Sequence, residues 1–250
     1  MKIAIIGYGN MGKTLERVAK QRGHEIVAKI DPYNPEAAQK ELTFDAVKDA
    51  DVCIDFTNQN CVMENIWKIC SFKKNIVVGT TGWYDKINDA RAAAEQNGVG
   101  LIYASNFSIG MNIFFRLVEN ASKIINLFDS YDVAGIECHH NKKVDSPSGT
   151  AKKLSEIIVG SVKRKDRIVY DLGNRKIEPN ELQFASLRCG AVPGTHKIIF
   201  DSDADTIELL HCARNREGFA LGAVMAAEWI SGKKGFYEIN DLIKEKLGGN

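Results

Sequence analysis

No run of apolar residues in the 250-residue chain approaches the length of a membrane span. The first such run, Ile3-Ala4-Ile5-Ile6, is also too short for the core of a secretory signal. The expectation is a cytoplasmic protein that uses no membrane. No two of the six cysteines form a C-x-x-C pair, so neither a zinc site nor a redox dithiol is signalled and no metal is expected. Cys53 and Cys70, set in apolar runs, read as reduced core thiols. Neither sign of charge dominates, with 33 basic and 32 acidic residues. No basic stripe interleaved with aromatics is present, which argues against a nucleic-acid partner. Internal repeats, low-complexity segments and long linkers are lacking too. What remains is an ordinary globular composition, long enough for one large domain or two modest ones.

The first third of the chain alternates strands and helices. Residues 2–6 read as a strand, followed by Gly7-Tyr8-Gly9-Asn10-Met11-Gly12 and a helical pattern ending near Gly23. A second strand, residues 25–30, ends at Asp31. This β-α-β unit carries a dinucleotide-binding loop. Gly7 permits the tight turn, Gly9 lets a pyrophosphate approach the backbone of the Asn10-Met11 helix start, and Gly12 lets the helix pack closely. Asp31 can accept hydrogen bonds from the adenosine ribose. A carboxylate there repels a 2′-phosphate and favours NADH, with Lys13 and Lys29 near enough to soften the preference.

Further units follow, with strands near residues 51–56, 75–78 and 99–104, helices near 64–72 and 85–96, and a long apolar helix through Leu127. The alternation predicts a doubly wound parallel sheet of the Rossmann type, in which ligands sit beyond the carboxyl ends of strands. Three loops fall on that edge: Asp55-Phe56-Thr57, Gly79-Thr80-Thr81-Gly82 and Ser105-Asn106-Phe107. The four small residues of the second favour a backbone left open to a ring. For the other two, spacing alone does not separate a binding loop from a polar turn.

The organising stretch is Glu137-Cys138-His139-His140-Asn141-Lys142-Lys143-Val144-Asp145-Ser146-Pro147-Ser148-Gly149-Thr150-Ala151. It joins a strand, residues 131–138, to a helix. Ser146 can cap that helix with Pro147 at its first position. The N–H groups of Ser148, Gly149 and Thr150 are then expected to point outward as a carboxylate or phosphate site. Two imidazoles and two ammonium groups precede them. A cationic pocket with proton donors suits a dianionic substrate. His139 is the candidate acid and Lys143 its partner. His140, Lys143, Ser148, Gly149 and Thr150 would hold the substrate, and Asp145 is expected to be structural.

Glu-x-His-His-x-x-Lys-x-Asp-x-Pro-Ser-Gly-Thr-Ala resembles the signature of the dihydrodipicolinate reductases, also called 4-hydroxy-tetrahydrodipicolinate reductases. Asp-Phe-Thr, Gly-Thr-Thr-Gly and Asn-Phe-Ser match that family as well, so the resemblance spans the chain. It implies that Phe56, Thr57, Gly79, Thr80, Thr81, Ser105, Asn106 and Phe107 line the nicotinamide and its ribose, with Arg216 and Phe219 nearby. It also implies reduction of a small dicarboxylate to tetrahydrodipicolinate in lysine biosynthesis, NADH or NADPH as cofactor, and a homotetramer. The glycine loop is one residue shorter than the family's common Gly-x-x-Gly-x-x-Gly. Another dehydrogenase of amino or hydroxy acids would keep that loop without needing the His-His-x-x-Lys and Ser-Gly-Thr pairing. A non-catalytic NAD(H)-responsive regulator could lose the proton donor.

Beyond residue 163 strands recur without helices between them, near 182–188, 196–200 and 206–212, and predict a mixed or antiparallel sheet. His196, in the Gly190-to-His196 loop, reads as a structural or rim residue. A closing helix starts near Glu217. The expected fold is therefore α/β, a Rossmann-type sheet with an inserted α+β substrate and oligomerisation domain. The expected domains are residues 1–106 plus 216–250 for the dinucleotide and 107–215 for substrate and assembly.

Overall fold

The structure, a computed structural model, describes residues 1–246 and 248. It begins with β1 (Lys2–Ile6), α1 (Asn10–Gln21), β2 (Glu25–Ile30), the short α2 (Phe44–Val47), β3 (Val52–Asp55), α3 (Val62–Ser71), β4 (Asn75–Val78), α4 (Ile87–Asn97) and β5 (Gly100–Tyr103). Then come α5 (Ile109–Ile125), β6 (Asp132–His139), α6 (Gly149–Ser161), β7 (Arg167–Val169), β8 (Glu181–Arg188), β9 (Thr195–Asp201) and β10 (Thr206–Cys212). α7 (Glu217–Ile230), β11 (Gly235–Glu238) and α8 (Ile239–Lys246) close the chain. Two compact units result, Met1–Ile109 with Arg216–Asn250, and Gly110–Asn215. No described helix is long and apolar enough to cross a membrane.

The first unit is a six-stranded parallel sheet in the order β11-β5-β4-β3-β1-β2. The apolar strand residues explain why it is buried on both faces: Ile3, Ile5, Val52 and Ile54 on one face and Ala4, Cys53, Ile76 and Leu101 on the other have no exposure. Strand order reverses between β1 and β3, the crevice where such sheets bind ligands. α7 is rich in alanine and glycine because it packs closely. A Cβ on Gly222 would lie 1.7 Å from the Phe107 carbonyl oxygen. Salt bridges Arg17–Glu217 and Arg22–Glu228, at 2.6 and 2.8 Å, link α1 to this returning helix.

The second unit is a mixed five-stranded sheet, order β10-β9-β6-β8-β7. β6 pairs parallel to β8 and antiparallel to β9, and β9 antiparallel to β10. One face is covered. Val133, Leu182, Phe184, Ile198 and Phe200 cluster with Met111, Phe114, Val118, Leu154 and Ile158 of α5 and α6.

Two expectations need correction. β7 was not foreseen from the sequence, because three residues are too few to show a period. The organising helix begins at Gly149, capped by Ser148 and not by Ser146. Ser148 has an extended backbone (φ −67, ψ 158) that lets its Oγ accept the Ala151 N–H at 3.1 Å.

Candidate active site

In the first unit the glycine loop fits a dinucleotide on physical grounds. A Cβ on Gly7 would collide with the Phe56 carbonyl oxygen at 2.3 Å, and one on Gly12 with the Gly7 carbonyl oxygen at the same distance. Gly9, just before α1, has nothing within 4 Å of that position. The helix start has no side-chain cap and no acidic residue in its first turn, so its N–H groups at Asn10 and Met11 suit a phosphate.

Asp31 lies at the end of β2. Its Oδ2 accepts the Tyr8 N–H at 2.8 Å, and Oδ1 those of Tyr33 and Asn34 at 2.9 and 3.0 Å. Partial burial works against its charge, but these donors outweigh it and hold the carboxyl below its usual range. Lys13 is paired with Glu36, while Lys29 lies 3.7 Å from Glu16 and over the Tyr8 ring.

A cleft of about 520 Å³ is lined by Met11, Phe56, Thr57, Gly79, Thr80 and Thr81, together with Asn58, Gln59 and Asn60. The last three were not foreseen, although the polar run after β3 signals them. Gly79 is a glycine because the Phe56 ring lies against it, within 2.1 Å of where a Cβ would sit. The ring it admits is the protein's own. Thr80 is buried and its hydroxyl donates to Asp55 at 2.7 Å, while Phe107 is buried in the core. Ser105 is exposed, Asn106 accepts the Ser108 N–H at 2.9 Å, and Arg216 is exposed just before α7.

In the second unit the register of the sheet builds a polar row. Across β10, β9, β6 and β8 the partners are His211, His196, Glu137 and Ser186, with His139 opposite Arg188 beside them. Neighbours in register project from the same face, here the covered one. Glu137 has no side-chain exposure. Its Oε1 accepts the Ser148 N–H at 2.8 Å, the Ser186 hydroxyl at 2.7 Å and Arg188 Nη2 at 3.2 Å. Burial opposes its charge, but Ser148, Ser186 and the neighbouring His139 hold the carboxyl below its ordinary range.

Its Oε2 lies 3.0 Å from His139 Nδ1, without hydrogen-bond alignment, and 3.7 Å from His196 Nε2. Burial lowers the basicity of His139. Glu137 opposes that shift, Lys143 and Arg188 add to it, and the net direction is down. Burial and His139 bring His196 down to about 4.

The loop after His139 is pinned to β8. Asn141 N–H meets the Gly190 carbonyl at 3.2 Å, and Arg188 Nη2 donates to the Asp145 carbonyl at 2.5 Å. Lys143 pairs with Asp145 at 2.6 Å. The Asp145 carboxyl is held down by Lys143 and the Gly149 N–H, against its partial burial. Asp145 thus takes up groups expected to serve the substrate's carboxylate. The Ser148 N–H is not free either, since Glu137 holds it. His140 is half-buried just past the strand, with Nδ1 enclosed and unpartnered. Glu137, Arg188 and Ser186 were given no role from sequence. Their signal is register across strands, which no local pattern carries. Glu137, His139 and His196 offer ligand atoms within 4.8 Å of one another, a spacing a metal could use. Arg188 on the same carboxylate and Lys143 nearby make the surroundings cationic and better suited to an anion.

An open parallel sheet with a glycine loop at its switch point defines the Rossmann class of dinucleotide-dependent oxidoreductases, here with a second sheet bearing a cationic, imidazole-rich end. Residues 1–107 match the family model described as "Dihydrodipicolinate reductase, N-terminus", and residues 110–243 its "C-terminus" counterpart. The chain belongs to the dihydrodipicolinate reductase family. It is 36% identical over 247 residues to the 4-hydroxy-tetrahydrodipicolinate reductase of Christiangramia forsetii, covering 98% of each chain. It is 38% identical over 248 residues to that of Staphylococcus aureus, covering 97% of this chain and 100% of the relative. Among solved structures, a dipicolinate-bound dihydrodipicolinate reductase from Paenisporosarcina sp. TG-14 shares the fold, with TM-score 0.77 and 24% identity over 96% of this chain and 98% of that one.

Proposed function

We propose that the protein catalyses the NAD(P)H-dependent reduction of 4-hydroxy-tetrahydrodipicolinate to tetrahydrodipicolinate in lysine biosynthesis. The observation that carries this reading is His139 at the end of β6, buried with Glu137 and neighboured by Lys143 and Arg188. Residues 1–106 with 216–250 would take the cofactor, through Gly7, Gly9, Asn10, Met11, Gly12, Asp31 and the cleft residues. Residues 107–215 would take the dicarboxylate.

A bound nicotinamide supplies a hydride. Hydride addition to the imine-conjugated ring pushes an electron pair onto the ring, and a proton from His139 quenches it. With the 4-hydroxyl leaving as water, substrate, NAD(P)H and a proton give tetrahydrodipicolinate, NAD(P)⁺ and water. A Cβ on Gly194 would lie 3.0 Å from His139 Nε2, so the glycine leaves that nitrogen uncovered. Lys143, His140, Gly149 and Thr150 would hold the carboxylates, Lys143 by exchanging Asp145 for substrate.

The test is stopped-flow oxidation of NADH with freshly generated substrate. His139→Gln should lower turnover by roughly 10²- to 10⁴-fold with cofactor binding unchanged. Lys143→Ala should damage both turnover and substrate binding. If both variants stay active, the reaction centre lies elsewhere. The same reading takes the enzyme as a cytoplasmic homotetramer, supported by the outer face of the second sheet, where Leu187 and Leu210 are 50% and 56% exposed.

A further inference from the structure

Glu137 is a buried carboxylate with unequal oxygens. Oε1 is filled by Ser148, Ser186 and Arg188, which fasten the loop and α6 to the sheet. Among the described residues Oε2 has no hydrogen-bond partner and lies 3.0 Å from His139 Nδ1 and 3.7 Å from His196 Nε2. Anchoring the loop needs Oε1 alone, so the second oxygen calls for a separate account.

We propose that Glu137 is a positioning residue of the reaction: its Oε2, in ion-pair contact with His139, favours the proton on Nδ1 and so leaves Nε2 as the nitrogen that carries and releases the acid's proton. This rests on His139 being the acid. An ionised carboxylate can only accept, so at 3.0 Å it favours a hydrogen on the His139 Nδ1 that faces it. His196, uncharged near neutral pH, keeps its Nε2 3.7 Å from the same oxygen, beyond hydrogen-bond distance. For His139 the carboxylate fixes the tautomer and favours the imidazolium, the role an acidic partner plays beside other catalytic histidines.

The groups around His139 are Glu137 on its own strand, Lys143 and Asp145 on the loop, Arg188 on β8 and His196 on β9, with His211 of β10 facing His196. Burial, Lys143 and Arg188 all discharge the ring. Glu137 is the buried group that opposes them. It gives up no proton.

Glu137→Gln keeps an oxygen for Ser148, Ser186 and Arg188 but turns an amide N–H₂ toward Nδ1, which then becomes the acceptor. The expected result is a kcat whose alkaline fall begins at lower pH, with turnover at pH 8 about tenfold below wild type and KM little changed. A uniform loss at every pH overturns the proposal and leaves Glu137 a purely structural anchor. Imidazole ¹⁵N spectra of the wild type give an independent reading that holds even if the variant fails to fold. Nδ1–H on neutral His139 supports the proposal and Nε2–H overturns it. His139→Gln separates the two levels. If it retains near-normal turnover, the function assigned to His139 falls and this inference with it. If it is impaired while the Glu137→Gln profile stays in place, only the positioning role falls.

Discussion

His196 was read from sequence as a rim or structural residue, and its surroundings give it a measurable consequence. Its pKa is about 4 in the fold, against an ordinary 6.5. Below pH 6.5 the unfolded imidazole takes a proton that the folded one refuses until about pH 4. Stability is therefore lost as pH falls through that window, by up to about 3 kcal/mol. Urea midpoints at pH 7.5 and 4.5 should differ less for His196→Gln than for wild type. Asp31 and Glu137, with depressed carboxyls, add their own loss at lower pH still. Asp31 carries a second prediction. Lys13 and Lys29 are engaged with Glu36 and Glu16, so they offset its charge less than sequence spacing suggests. NADH should bind more tightly than NADPH by about tenfold, or 1.4 kcal/mol. Asp31→Ala should narrow that gap in titrations with both cofactors, and an unchanged ratio would remove Asp31 from the ribose site.

At the scale of elements, α7 fits the first unit through one glycine. Gly222→Ala puts a methyl 1.7 Å from the Phe107 carbonyl oxygen, whereas at Gly218 in the same helix the nearest atom is Ser108 Oγ at 3.6 Å. The first substitution should cost about 1–3 kcal/mol or more and the second little. Paired thermal melts would show it, and equal melting temperatures would refute the contact. The long periodic elements were legible: β1 and α1, the body of α5, and β8 to β10 lie within a few residues of where spacing places them. α2, β7 and β11 were not, since three or four residues show no period. The start of α6 was misread because Ser146-Pro147 and Ser148 both satisfy local capping rules. The choice between them fell to Glu137, whose Oε1 accepts the Ser148 N–H.

For the whole molecule, Leu187 and Leu210, both half exposed, are where assembly through the second sheet would be felt. Light scattering at micromolar concentration should give a tetramer's mass, and Leu187→Asp with Leu210→Asp should reduce it. A monomeric wild type would sink the assembly. The sequence by itself determined the parallel sheet, the glycine loop with Asp31 at the end of the next strand, and the placing of His139 and Lys143 four positions apart in one stretch. Those features are written in residues a few positions apart, with periods and turns that obey local rules. Only the tertiary structure decided that Phe56 fills the space over Gly79, that Asp145 occupies Lys143, and that Glu137 stands between Ser186 and His196. Each depends on which residues strand register and packing bring side by side, and the free energy of those contacts comes from partners that no local spacing connects.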